Sequence, residues 1–135
     1  MLKEIKDLRV ENLMVAISPR DENDMEDQWW DVILVNLEEE PIKNVMVTSR
    51  GYGEIDGEQR ATATFRHFFE VIDALDLVQV ETIHTGVFGL ANEFWVSFSF
   101  NGDLLDKKYV FVQGSIAPEF FVEIPFLGRR GVVIR

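Results

Sequence analysis

The chain has 135 residues, no cysteine, and 24 acidic against 13 basic side chains, which gives a formal net charge of −11 at neutral pH. Its length corresponds to one domain, and a hydrophobic fraction of 47% is typical of a globular chain rather than a disordered one. The lack of cysteine excludes disulfide scaffolds, thiolate metal sites and cysteine nucleophiles. We therefore predict a single domain over residues 1–135.

The charge distribution argues against nucleic acid and membranes as partners. Residues 1–40 carry 12 acidic and 4 basic side chains, whereas binding to phosphate backbones or anionic lipids needs clustered Lys and Arg. Residues 1–7 contain no apolar signal-peptide core, and no later stretch approaches the roughly 18 apolar residues of a membrane-spanning helix. We expect a soluble, cytoplasmic protein with neither kind of partner.

Short apolar runs separated by turn residues about every ten positions predict an all-β fold. In the first half, strands are predicted at residues 10–18, 29–37 and 44–49. The acidic stretch 38–41 ends in proline and predicts a hairpin turn between the last two of these strands. Residues 51–57 contain three glycines and are predicted to form a loop.

The next segment has two possible structures. Apolar residues recur at helical spacing, which predicts one short helix near residues 66–75. They are Phe65, Phe68, Phe69, Ile72 and Leu75. A strand remains the alternative, because Thr62, Thr64 and Val71 suit a strand equally well.

A hairpin is the strongest prediction of the second half. Residues 94–100 alternate, with phenylalanines on one face and Trp95 on the other, and Asn101-Gly102 is a typical hairpin turn before a return strand at residues 109–113. Further strands are predicted at residues 77–83, 120–124 and 132–134. Together these patterns predict an immunoglobulin-like β-sandwich of about seven antiparallel strands with one short helical element.

Three segments of the C-terminal half carry a family resemblance: residues 92–98 (NEFWVSF), 106–112 (DKKYVFV) and 124–132 (IPFLGRRGV). With these segments the chain resembles a small, uncharacterised family of acidic bacterial proteins, members of which are sometimes labelled phenylalanyl-tRNA synthetase alpha subunit. The resemblance implies no catalytic residue. Residues 51–60 (GYGEIDGEQR) are similar to the third motif of class II synthetases, but the spacing from the glycines to Arg60 differs. We therefore expect no synthetase activity.

The sequence contains no complete set of catalytic or metal-binding residues. Asp21, Asp24 and Asp27 could offer oxygens to Ca²⁺, but their loop lacks the central glycine and terminal glutamate of an EF-hand, which favours a solvated loop and makes them weak metal candidates. His67 and His84 are too far apart for a paired metal motif, and no serine lies in a Gly-x-Ser-x-Gly turn. We expect neither catalysis nor a cofactor.

The aromatic residues therefore carry the functional hypothesis. Trp95 is predicted on the exposed face of the hairpin, where Tyr109 or Phe111 could pair with it across the strands, either to stabilise the hairpin or to anchor a partner. We predict a non-catalytic interaction module that binds a protein partner or a second copy of itself through these three residues. The alternative is a small-ligand pocket between the sheets, lined by Tyr52, His84 and Trp95. A third expectation, an RNA- or tRNA-associated factor, follows only from the family label.

Overall fold

The computed structural model describes residues 9–135, so the segment on which the expectation of no signal peptide rests lies outside the described residues. The strands are β1 (Leu13–Pro19), β2 (Trp29–Asn36), β3 (Ile42–Ile55), β4 (Glu58–Ala61), β5 (Phe65–Ile72), β6 (Asp76–His84), β7 (Ala91–Phe100), β8 (Asp103–Phe111), β9 (Val122–Glu123) and β10 (Arg130–Ile134). Two short 3₁₀ helices cover Thr85–Val87 and Pro118–Phe120. The prediction of an all-β fold is confirmed.

The strands form two antiparallel sheets. The first sheet has the order β6-β2-β1-β10-β9. The second sheet has the order β4-β3-β7-β8, and β5 pairs with the early part of the long strand β3, whose late part pairs with β4. Within residues 9–135, no helix is long and apolar enough to cross a membrane.

The main core lies between the two sheets, because each strand turns alternate apolar side chains inward. Buried members from the first sheet include Ile17, Trp30 and Leu34, and those from the second include Val47 and Phe94. These side chains form one contiguous cluster that joins the sheets face to face. Burial of this apolar area is the main force that holds them together.

The outer face of the first sheet has a smaller core of its own. Met14, Ala16 and Ile33 are buried there against Ile124, with Leu127 packed at the side. The segment between β9 and β10 forms this cover, and its turn is closed by a hydrogen bond of 2.9 Å from the Ile124 N–H to the Arg129 carbonyl. This cover explains why all seven residues of β1 are buried.

An ion network holds the cover in place. The Asp31 carboxylate, 7% exposed, accepts hydrogen bonds from Arg20 at 3.1 Å, from Gln79 at 3.0 Å and from Arg129 at 3.0 Å. Arg129 also reaches the Ser18 hydroxyl at 3.3 Å. The network therefore ties the covering segment to β2 and β6.

The helix predicted near residues 66–75 is wrong. This segment is strand β5, which pairs with β3 from Ile42↔Ile72 to Ser49↔Phe65. Phe65 and Phe69 are four positions apart, so they would share one face in either a helix or a strand, and here both are on the inward face. Phe68 lies on the outer face and is 60% exposed. Pairing with β3 decided between the two periods, since it satisfies the backbone of an otherwise isolated segment.

Two turn predictions in the first half are also wrong. Residues 38–41 do not join a hairpin, because β2 belongs to the first sheet and β3 to the second. The crossing is held by Asn36, whose side-chain amide donates to the carbonyls of Glu40, Ile72 and Asp73. The loop predicted at residues 51–57 is mostly strand, since β3 continues to Ile55 and only Asp56 and Gly57 form a tight turn.

The hairpin of β7 and β8 is confirmed. Asn101 and Gly102 have φ angles of 50° and 81°, as a two-residue turn with both positions left-handed requires. The return strand begins at Asp103, earlier than predicted. The predicted strand at residues 77–83 also exists, but a bulge lies opposite Val32 and Ile33 and breaks its strict alternation. Of residues 120–124, only Val122–Glu123 is strand.

Candidate functional site

Trp95 lies on the outer face of the second sheet, as its alternation with the phenylalanines predicts. Its side chain is 46% exposed, whereas its neighbours Phe94 and Val96 are buried. The indole N–H donates to Asp106 Oδ2 at 2.8 Å, and the Lys108 ammonium lies 5.0 Å from the ring centroid. The indole is therefore held in one position while its remaining surface contacts water.

Tyr109 and Phe111 do not share this face, so their predicted role beside Trp95 is wrong. The register pairs Trp95 with Lys108 and Phe94 with Tyr109, which places Tyr109 and Phe111 in the core at 0% and 2% exposure. The Tyr109 hydroxyl donates to the Leu13 carbonyl at 2.9 Å, and burial raises the pKa of this hydroxyl. The two-residue turn at Asn101 and Gly102 pairs Phe100 with Asp103, and this register already places Tyr109 opposite Phe94 rather than beside Trp95.

Other residues accompany Trp95 on this surface, which we call the outer aromatic face. Large apolar side chains are exposed on it: Met46 (39%), Phe68 (60%) and Leu104 (82%). Met46 and Phe68 are directly opposite each other on β3 and β5, and Ser97 follows Met46 on β7. The exposed apolar groups are therefore spread over all four neighbouring strands.

A row of cross-strand neighbours carries positive charge through the middle of the outer aromatic face. Pairing places Arg66, Thr48, Trp95 and Lys108 side by side on β5, β3, β7 and β8. At a strand spacing of about 4.8 Å, the row spans about 14 Å. Arg66 makes no ion pair within residues 9–135, and Lys108 reaches Glu93 only at 4.0 Å. Both cations are thus available to a partner.

An internal ion pair lies at the end of the outer aromatic face nearest β4. Arg50 Nε donates to Glu93 Oε2 at 2.9 Å, and its guanidinium lies 5.1 Å from the centroid of the Tyr52 ring. The hydrogen bond and the charge of Glu93 raise the pKa of Arg50. Tyr52 also hydrogen-bonds Glu93 at 3.4 Å, so it is a neighbour of this pair.

A cleft of about 320 Å³ lies where the edge strand β6 of the first sheet faces β5 and the adjoining part of β3. Trp29 and Phe65, both more than half exposed, line it together with the buried side chains of Ile83 and Phe94. Glu81 is the acidic residue that lines it. A cleft of this size with apolar walls and a few polar groups has the properties of a small-molecule site.

Three polar side chains converge beside the cleft. Glu81 Oε1 accepts hydrogen bonds from the Ser49 hydroxyl and from His67 Nε2, the latter at 3.1 Å. Ser49 is buried, and the Glu81 side chain is 14% exposed. This arrangement holds the carboxylate in place from both sheets, because Ser49 and His67 belong to the second sheet and Glu81 to the first.

The predicted pocket of Tyr52, His84 and Trp95 does not exist as one site. His84 lines the cleft, Trp95 lies on the outer aromatic face, and Tyr52 packs near Arg50. His84 Nδ1 accepts the Gly86 N–H at 3.0 Å, so Nε2 carries the proton that faces Asp27 at 3.2 Å. The three residues lie on different strands, β3, β6 and β7, and the strand pairing keeps them apart.

The acidic loop between β1 and β2 does not gather into a metal site. No group of three or more His, Asp or Glu residues in the described part of the chain is placed to hold a metal ion. Asp21 Oδ1 accepts the backbone N–H of Asn23 at 2.9 Å, and Asp27 faces His84. The carboxylates of Asp21 and Asp27 thus have other contacts.

Comparison of the chain with protein-family models, curated proteins and solved structures found no significant match. We therefore infer function from the geometry of the outer aromatic face and of the cleft.

Sequence reasoning missed most members of both sites. The helical spacing predicts a helix around Phe68 and Arg66, and the cluster of Ser49, His67 and Glu81 joins residues up to 32 positions apart. The sequence carries one strand signal for β5. In a strand, Phe65 and His67 would lie on one face and Arg66 and Phe68 on the other. The Glu81 cluster gives no local signal, since it forms only when the two sheets meet.

Proposed function

We propose that this protein is a non-catalytic protein-binding module that binds its partner on the outer aromatic face of the second sheet. The proposal rests on a difference between the outer faces of the two sheets, one of which is covered while the other is exposed. The chain covers Met14, Ala16 and Ile33 on the first sheet with its own segment, whereas Trp95 and Phe68 on the second sheet stay exposed to water within the described structure. Clustered exposed apolar side chains typically mark interaction surfaces.

The charge of the face suggests the chemistry of the partner. Arg66 and Lys108 lie in the same cross-strand row as Trp95 on a chain whose net charge is −11, and the neighbouring Asp106 carboxylate already accepts the indole N–H. Tryptophan and arginine are the residues most often found as anchors in protein interfaces. We infer a protein segment that carries carboxylates beside an aromatic or aliphatic side chain. A second copy fits less well, because two such faces stacked together would bring cations against cations.

A non-catalytic role is supported by the geometry of the one Ser, His and Glu cluster. In a hydrolytic triad the histidine bonds the serine and takes its proton. Here Ser49 and His67 both bond Glu81 Oε1, so the carboxylate stands between them and the histidine is not placed as the base for the serine. The cluster is arranged to fix a carboxylate.

Of the immunoglobulin-like fold, we keep in this proposal only the arrangement of two packed antiparallel sheets. An immunoglobulin sheet places its first strand at an edge, whereas β1 lies between β2 and β10. We carry forward the sandwich architecture, and the functional inference rests on its exposed face rather than on the fold class.

Selection of displayed random peptides on the immobilised protein tests the proposal. We expect the enriched peptides to contain Asp or Glu beside an aromatic or aliphatic residue, and to lose at least about tenfold in affinity on Trp95→Ala and on Arg66→Glu. The stability of Trp95→Ala should fall by only about 1 kcal/mol, because it loses one exposed hydrogen bond and one cation–π contact.

Trp29→Ala is the matched control, because Trp29 is an equally exposed tryptophan (55%) on the other sheet, and it should bind the selected peptides normally. Equal binding by wild type and Trp95→Ala would refute the assignment of the face. Sedimentation that shows a wild-type dimer lost in Trp95→Ala would assign the face to a second copy instead. Binding of tRNA at low salt through the same residues would replace the protein partner by RNA.

A further inference from the structure

The residues that line the cleft between β5 and β6 determine which kinds of ligand it can bind. Its exposed aromatic rings, Trp29 and Phe65, stand at the opening, and the buried side chains of Ile83 and Phe94 form its inner wall. A volume of about 320 Å³ holds a small molecule rather than a protein segment. The apolar walls require a ligand with an apolar body.

Glu81 supplies a fixed charge with one oxygen free. Its Oε1 is occupied by Ser49 and His67, whereas Oε2 makes no hydrogen bond within the described residues. In that same part of the chain, every fully buried side-chain polar atom has a partner. Glu81 Oε2 is therefore open to solvent or to a ligand, and it can accept a charge-assisted hydrogen bond.

The cations near the cleft are engaged elsewhere. Arg50 lines the cleft, but its guanidinium bonds Glu93 at 2.9 Å on the outer face of the second sheet. His67 Nε2 bonds Glu81, and His84 Nε2 faces Asp27. An anionic ligand would thus meet the charge of Glu81 with no unpaired cation from the cleft-lining residues to offset it, whereas a cationic ligand gains an ion pair.

We propose that this cleft binds a small organic cation, with an ammonium group on Glu81 Oε2 and an apolar body between Trp29 and Phe65. The site is separate from the outer aromatic face, so it stands or falls independently of the protein-binding proposal. It also differs from the pocket predicted from sequence, of which it retains only His84.

An NMR titration with three matched probes tests the proposal: phenethylammonium, the neutral phenethyl alcohol and the anionic phenylacetate. We expect phenethylammonium to shift the Trp29 indole signal and the Ser49 and Phe65 amide signals, and to bind about tenfold tighter than the alcohol. Phenylacetate should bind more weakly than either. Equal affinities for the ammonium and the alcohol would overturn the proposal, as would tighter binding of phenylacetate or no binding of any probe at millimolar concentration.

Two variants locate the effect. Glu81→Gln keeps the size of the side chain and its ability to accept hydrogen bonds, so the ammonium should fall to the affinity of the alcohol while the alcohol is unchanged. Glu70→Gln removes the same charge from an exposed position on β5 and should bind all probes like the wild type. An equal loss of ammonium affinity in both variants would show that the effect comes from the net charge of the protein, and it would overturn the proposed site.

Phe65→Ala keeps the test decisive if Glu81→Gln does not fold. Phe65 is 54% exposed, so its removal should leave the fold intact while it opens one wall of the cleft. We expect the ammonium and the alcohol to weaken by the same factor, because both lose the same apolar contact. Unchanged affinities in this variant would place the probes elsewhere and refute the proposed cleft.

Discussion

Replacement of Asp31 by alanine tests whether the ion network holds the cover on the first sheet. Its carboxylate is 7% exposed and accepts from Arg20, Gln79 and Arg129. Removing one partner of a fully buried ion pair costs about 3–5 kcal/mol. The arginine side chains here are 55% and 32% exposed and regain hydration, so we discount this value and expect a loss of about 2 kcal/mol. The melting temperature should fall by about 6 °C.

Urea unfolding followed by tryptophan fluorescence measures this loss, because Trp30 is buried in the core and reports global unfolding. Arg20→Ala is the control, and it should cost less than about 1 kcal/mol because that side chain is mostly in water. Hydrogen exchange should also become faster at Ile124 and Leu127, whose N–H groups bond within the covering segment. A loss below about 0.5 kcal/mol for Asp31→Ala would refute the reasoning, since the cover would then be held by apolar packing alone.

Two further predictions concern the core. Gly131→Ala should cost more than about 3 kcal/mol in urea unfolding, because a Cβ there would lie 2.3 Å from the Ile17 carbonyl oxygen and 3.0 Å from Ser18 Cα, all backbone. Gly89→Ala, in which the new Cβ would lie 3.9 Å from the Ile55 Cδ1, should stay within about 0.5 kcal/mol, and equal losses would contradict the clash. Burial raises the pKa of Tyr109, so the folded state holds the phenolic proton more tightly than the unfolded chain, and stability should fall as pH rises above about 10. Tyr109→Phe should flatten this fall, and parallel pH profiles for the two proteins would contradict the assignment.

The functional proposals depend differently on sequence and structure. The position of Trp95 outside the core followed from alternation with Phe94 and Val96, because side chains along a strand point to opposite faces. Its neighbours did not follow. Phe68 and Arg66 reach the same face only because β5 pairs with β3 and β3 pairs with β7. The cleft depends on one further step, the approach of β6 to β5 across the two sheets.

Three features can be predicted from local sequence alone: the β architecture, the positive-φ turn at Asn101 and Gly102, and the alternation that separates Phe94 from Trp95. These features are local, since each depends on residues within a few positions of one another. Long-range contacts, in contrast, establish that residues 65–72 form a strand and that Glu81 joins Ser49 and His67. Pairing between strands that are distant in sequence, and the packing of the two sheets, depend on contacts between distant residues, and a shift of one residue in register would exchange the two faces of every strand involved.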